Sequence, residues 1–201
     1  MEKTVPFTIY AESTPNPTTM KYVANKVLLD DGLAEYTSMD EAKGSPLAMK
    51  LFGFPFVTGV FIQSNFITIM KSDMVSWEDV VMELREFIRD YLNTGAAVVT
   101  ELAEGTHQTE EQIAATSVHS EPTTDLEEKI IAILDAEIAP AVAQDGGNIT
   151  FQAYEKGVVN VVLRGACSGC PSSTFTLKNG IENMLKNMMG DKINEVVALN
   201  G

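Results

Sequence analysis

Along the first ninety residues the spacing of apolar positions alternates between two rhythms. Short apolar or alternating runs occur at "FTIYAE", "MKYVAN" and "AEYTS", and "VTGVFIQSNFITIMK" reads as two strands turning at Gln63, Ser64 and Asn65. The slower rhythm predicts a helix over roughly "MDEAKGSPLAMKLFG". It predicts a second from Ser76 to Leu92, with Ser76 as N-cap and Trp77, Val80, Leu84, Phe87, Ile88 and Tyr91 on one stripe. In "STPNPTTMK" two prolines restrict the backbone, which suits a rigid surface turn.

The rhythm then lapses. Between Arg89 and Lys129 there is no lysine or arginine, and "TGAAVVTELAEGTHQTEEQIAATSVHSEPTTD" is rich in Thr, Ala, Glu and Ser. It reads as a flexible acidic linker, with "TEEQIAAT" as a docked helix being the alternative. The two histidines, His107 and His119, fall here and read as solvated bystanders rather than ligands. Periodicity returns at Thr124, which forms a capping box with Glu127 ahead of Leu126, Ile130, Ile133, Leu134 and Ile138. Pro140 should kink or end that helix. "QDGGN" supplies a turn in which Gly146 and Gly147 are free to take positive φ and Asp145 reads as a turn or cap residue. "ITFQAY" and "VVNVVLR" predict a hairpin around "EKG". Leu177, Ile181, Met184, Leu185 and Met188 predict a helix, and "INEVVAL" a last strand. The expected class is α+β with two small domains, residues 1–95 and 124–201, joined by a linker over 96–123. The second domain has the order α-β-β-α-β.

Composition narrows what such a chain does. Its 201 residues are 45% hydrophobic, enough for real cores, and carry a net charge of −14. That charge repels phosphate backbones and anionic bilayers, so neither nucleic acid nor a membrane is an expected partner. The beginning, "MEKTVPFTIYAEST", lacks a basic region followed by an apolar stretch. The expectation is a cytoplasmic protein with reduced thiols.

The chain has two cysteines, Cys167 and Cys170, in "GACSGCPSS" between the last strand of the hairpin and the following helix. Pro171 suits the first turn of a helix and places Cys170 near its N-cap. Both thiols then face the helix's positive end, which favours outward-facing thiolates. A zinc ion or an iron–sulfur cluster wants about four ligands, and one chain offers two. A pair of such loops meeting on a two-fold axis would supply the set. Three readings stay open on the residues alone: a metal or cluster shared between chains, dithiol–disulfide exchange, and an inert pair. Ala166 in place of an aromatic, and a following unit that does not read as βαβ, stand against the second.

The longer string "DGGNITFQAYEKGVVNVVLRGACSGCPSSTFTLKNGIENML" resembles the C-terminal domain of NifU-like (Nfu-type) iron–sulfur cluster proteins. "STPNPTTMKYVANKVLL", "SPLAMKLFGFPFVTGVF" and "NFITIMK" resemble the Nfu N-terminal domain. The resemblance implies a scaffold or carrier, not an enzyme. It implies that Cys167 and Cys170 of two subunits together hold a cluster, usually 4Fe-4S, and pass it to apo-proteins. The implied partners are a second copy of the chain, apo iron–sulfur clients and an upstream cluster or sulfur donor; the runner-up is a dithiol–disulfide oxidoreductase. Two positions depart from the family pattern: Asn148 stands where an acid often follows the two glycines, and Phe56 where a glycine often follows the proline.

Overall fold

A computed structural model describes residues 5–100, 119–168 and 171–200, the side chains of 171–173 and 200 excepted. The chain divides into two compact units, Met1–Thr106 and His107–Gly201.

In the first unit β1 (Ile9–Ser13), β2 (Thr19–Ala24), β3 (Leu33–Tyr36), β4 (Val57–Gln63) and β5 (Phe66–Lys71) form one sheet in the order β1-β2-β5-β4-β3. Every neighbouring pair is antiparallel. Ser64 takes φ 49° at the β4–β5 turn, where the alternation breaks. The helix α2 (Trp77–Asn93) buries Val80, Leu84, Ile88 and Tyr91 of the expected stripe, and Leu92 beside it, in the same core as Tyr22, Ile62 and Ile69, while Trp77 and Phe87 are partly buried against it. Full burial of side chains such as Leu84 and Ile88 is worth roughly 1.5–3 kcal/mol each. The helix expected over residues 39–53 is divided into a 3₁₀ turn, Glu41–Gly44, and α1 (Pro46–Leu51). Pro46 excludes Ser45 from helical backbone, and Ser45, extended at φ −129°, caps α1 by accepting the Ala48 N–H at 3.1 Å. Phe56 is buried in this core and its ring lies 5.6 Å from that of Phe54.

In the second unit α3 (Asp125–Ile133) runs into a π turn, Leu134–Ile138, and then α4 (Ala139–Gln144). The π turn lets the helical path pass Pro140, which has no N–H to donate and whose ring would crowd the preceding turn. β6 (Gly147–Glu155) and β7 (Val158–Gly165) pair antiparallel, α5 (Pro171–Met189) follows, and β8 (Glu195–Asn200) pairs with β7. The order α-β-β-α-β is as expected, with α3 and α4 as one interrupted helix. However, β7 and β8 are parallel, so β7-α5-β8 is a βαβ crossover. The apolar run of β8 carries no sign of its direction, and α5, at 19 residues, is long enough to return the chain. One core joins Ile130, Leu134 and Ile138 to Phe151, Val161, Leu163, Ile181 and Leu185. Among the described residues no helix is long and apolar enough to cross a membrane.

Both described ends of the expected linker are packed. Ser45 Oγ donates to the Val98 carbonyl at 2.7 Å, and the Thr100 N–H to that of Gly44 at 2.8 Å. At the other end Ser120 N–H donates to the Phe151 carbonyl at 3.0 Å. Residues 101–118, which include His107 and "TEEQIAAT", lie outside the described residues.

Candidate metal centre

The hairpin β6–β7 and the end of α4 together build the seat of Cys167. β7 ends at Gly165, whose φ of 66° turns the chain out of the sheet. The Ser168 N–H and hydroxyl both donate back to the Gly165 carbonyl, at 3.1 and 2.9 Å. Ala166 N–H donates to the Gly146 carbonyl at 3.1 Å, which ties the cysteine loop to the "DGG" turn. From the far side Thr174 Oγ1, in the first turns of α5, donates to the Cys167 carbonyl at 3.1 Å. The distant Gly146 turn, the local Gly165–Ser168 turn and the first turns of α5 together hold the loop that carries Cys167.

The glycine pair divides its labour. Gly146 has φ 81°, the left-handed conformation expected of the turn. Gly147 is an ordinary β residue required for space: a Cβ there would lie 2.7 Å from Cys167 Sγ and 2.7 Å from the Arg164 carbonyl oxygen. Sequence reasoning gave both the same role, because only the folded chain brings Gly147 against the sulfur. Asp145 caps α4, as expected, and its charge also reaches Cys167.

The thiol is not the outward thiolate that the helix-end argument predicted. Cys167 is 6% exposed and belongs to the hydrophobic core of this unit. Burial, and after it the Asp145 carboxylate, push its pKa up to about 12. The sulfur sits in the core, where desolvation is the first cause of the shift. Cys170 lies outside the described residues. Among the described residues no three potential ligands from His, Cys, Asp and Glu converge, so a complete site is not built from them.

His119, expected to be a solvated bystander, is a clasp. Its ring is 16% exposed, with Nε2 2.7 Å from Asp135 Oδ1, and its Nδ1 accepts the Phe151 N–H at 2.8 Å. The Phe151 bond fixes the tautomer, so Nε2 donates to Asp135. No periodicity in the linker marks this contact. At the opposite edge Glu182 accepts the Val196 N–H at 3.1 Å and Lys186 Nζ at 2.5 Å, fastening α5 to β8. Those bonds, Lys186 first, hold the Glu182 carboxyl below its usual range.

Comparison with known proteins adds a separate line of evidence. The family described as "Scaffold protein Nfu/NifU N terminal" matches residues 9–95, and the "NifU-like domain" family matches residues 130–197. "NifU-like protein 4, mitochondrial" of Arabidopsis thaliana is 35% identical over 91% of this chain and 63% of its own length. "NFU1 iron-sulfur cluster scaffold homolog, mitochondrial" of Homo sapiens is 33% identical over 89% of this chain and 66% of its own. The solution structure of a NifU-like protein from Saccharomyces cerevisiae is 25% identical, covering 50% of this chain and 91% of that one at a TM-score of 0.44. The chain spans about two thirds or less of the length of these curated relatives. The cytoplasmic expectation is overturned: the relatives are mitochondrial by name. It rested on the chain's first residues, and a chain that spans only part of its relatives carries no argument from where it begins.

Proposed function

This chain belongs to the Nfu-type family of iron–sulfur cluster scaffold proteins, and from that premise we propose that it holds a cluster between two copies of itself and hands it on. The cluster is cargo, and the protein is a scaffold or carrier rather than an enzyme. Cys167 and Cys170 are the proposed ligands, because they are the only thiols in the chain. Two chains then supply four soft thiolate donors, the number a 4Fe-4S or 2Fe-2S cluster takes. We assign the 4Fe-4S form, which the resemblance of the cysteine motif implies. Apo iron–sulfur proteins are the proposed recipients, and a separate cluster or sulfur donor the proposed source.

The observation that carries the reading is the seat of Cys167. The sulfur lies against a glycine with no room for a Cβ, on a loop fastened at Gly146, Gly165 and Thr174. The donor type fits an iron–sulfur cluster. Burial fits a transient one: the thiol must leave the core and lose its proton to bind iron, and it regains both when the cluster departs. Holding is thus opposed by a restoring force in each chain, which suits transfer.

The runner-up, dithiol–disulfide exchange, gains one point, since the βαβ crossover thought absent is present. The raised pKa of Cys167 does not separate the two, since iron ligation and attack on a disulfide both need the thiolate. Anaerobic reconstitution decides between them. The scaffold reading expects a coloured protein with iron and sulfide bound, and expects Cys167→Ser and Cys170→Ser each to abolish stable loading. A colourless protein that forms a reversible intramolecular disulfide contradicts it.

A further inference from the structure

The outer face of α5 differs from the other long helix. Its exposed residues with described side chains are Phe175, Thr176, Gly180, Asn183, Asn187 and Met188, and none is charged. On α2 the exposed face presents Glu78, Asp79, Glu83, Glu86 and Asp90, with Met82 and Asn93 as its uncharged members. Lys178, Glu182 and Lys186 run along the edge of this face, each in an ion pair, so a chain of net charge −14 has left no unpaired charge around Phe175, which stands 65% exposed. An exposed aromatic among uncharged and ion-paired side chains suits the core of an interface.

A second observation comes from Gly180. A Cβ there would meet nothing within 4 Å, and its φ is not in the left-handed region, so neither packing nor backbone geometry requires glycine. Alanine would favour the helix by about 0.8–1.0 kcal/mol. Asn179, Asn183 and Asn187 are likewise weaker helix formers on or beside the same face. Local propensity is given up where the fold itself gains nothing, which points to something that approaches from outside.

We infer that this neutral face of α5 is where a second copy of the chain packs, in parallel, so that the two cysteine loops meet at one end of the helix pair. The inference rests on the shared-site reading and adds the surface and its direction. The occupant is a second copy because the site beginning this helix is half complete in one chain. Two strongly acidic molecules can also approach closely only through a surface free of like charge. The direction follows from length. An antiparallel crossing at Gly180 would leave the loops about 30 Å apart, at 1.5 Å of rise for each of the residues between Cys170 and Gly180 on both helices. A parallel pair brings both positive helix ends to the same place, where thiolates and an anionic cluster offset their repulsion. In that register Asn183 faces Asn183 of the second copy.

Charge placed at this position tests the register. Full-length Asn183→Glu and Asn183→Lys chains are loaded anaerobically, alone and as an equimolar mixture, and diluted while sedimentation follows the cluster absorbance. Each variant alone is expected to release its dimer at a concentration about tenfold higher than wild type, and the mixture to return to within about threefold of it. Recovery in the mixture also excludes misfolding as the cause. Unchanged dimers in both variants, or a mixture no better than its components, overturns the inference while leaving the shared cluster intact. Loaded wild-type protein that sediments as a monomer overturns the shared site as well.

Discussion

At Cys167 a protonated thiol in a core sets up the first measurement. Iodoacetamide reacts with thiolates, so in the folded apo-protein at about pH 8 Cys167 is expected to be alkylated far more slowly than in urea. Burial is the larger cause and the Asp145 charge the smaller. Asp145→Asn therefore raises the rate modestly, and mass spectrometry of the modified peptide reads both. Equal rates folded and unfolded would contradict the buried seat. The sign for stability follows. The preference for the neutral thiol stabilises the fold below the ordinary thiol pKa of ~8.5 and is lost as pH rises toward about 12. Gly147 gives a second prediction: Gly147→Ala pushes a methyl against Cys167 Sγ and the Arg164 carbonyl, and is expected to cost about 1–3 kcal/mol in denaturant unfolding. The same change is expected to speed alkylation by displacing the sulfur. Sequence placed Cys167 in the right loop, after β7, but not the sulfur's environment. Local rules see the helix that follows Pro171 and are blind to Gly147, some twenty positions earlier.

Elements were the most readable level where one face repeats. The stripe of α2, the β4–β5 hairpin and the Thr124–Glu127 box all follow from spacing, and the box holds: Glu127 N–H donates to Thr124 Oγ1 at 3.3 Å. The structure extends it by one residue, since Glu127 Oε2 accepts the Thr123 N–H and hydroxyl, each at 2.7 Å. Those bonds, the Thr123 hydroxyl first, hold the Glu127 carboxyl below its usual range. Its contribution to stability is present above the ordinary carboxylate pKa and is lost as pH falls through the lowered value. Glu127→Gln is therefore expected to lower the thermal midpoint at neutral pH, with the gap to wild type closing in acid. A gap independent of pH would contradict the carboxylate's role. What spacing did not reveal are events decided by contacts between elements. The π turn ahead of Pro140, the parallel direction of β8 and the His119 clasp each depend on a neighbour distant in sequence.

For the whole molecule, the two compact units and the packed ends at Thr100 and His119 support independent folding of the second unit. A fragment of residues 119–201 is expected to fold and load cluster. One beginning at 124 loses the two hydrogen bonds of His119, that of Ser120 to Phe151 and the two of Thr123 to Glu127, and is expected to be less stable by roughly 2–5 kcal/mol. If the fragment from 119 fails to fold while the full chain is soluble, the units are not independent. The first unit carries a full core and, among its described residues, no cluster of ligands, so recognition of clients is the role proposed for it. Deletion of residues 1–100 is then expected to leave loading intact and to slow transfer to genuine clients, with the difference shrinking as client concentration rises. Equal transfer at low client concentration would remove that role. Two domains and their class were readable because each has its own rhythm around a stretch without one. Assembly into a pair is a proposal that rests on an incomplete ligand count. Anaerobic native mass spectrometry of the loaded full-length chain tests that count most directly. The expected species is two chains with one 4Fe-4S cluster, which falls apart to cluster-free monomers when the cluster is released; one chain that carries a cluster without any external thiol would contradict the account.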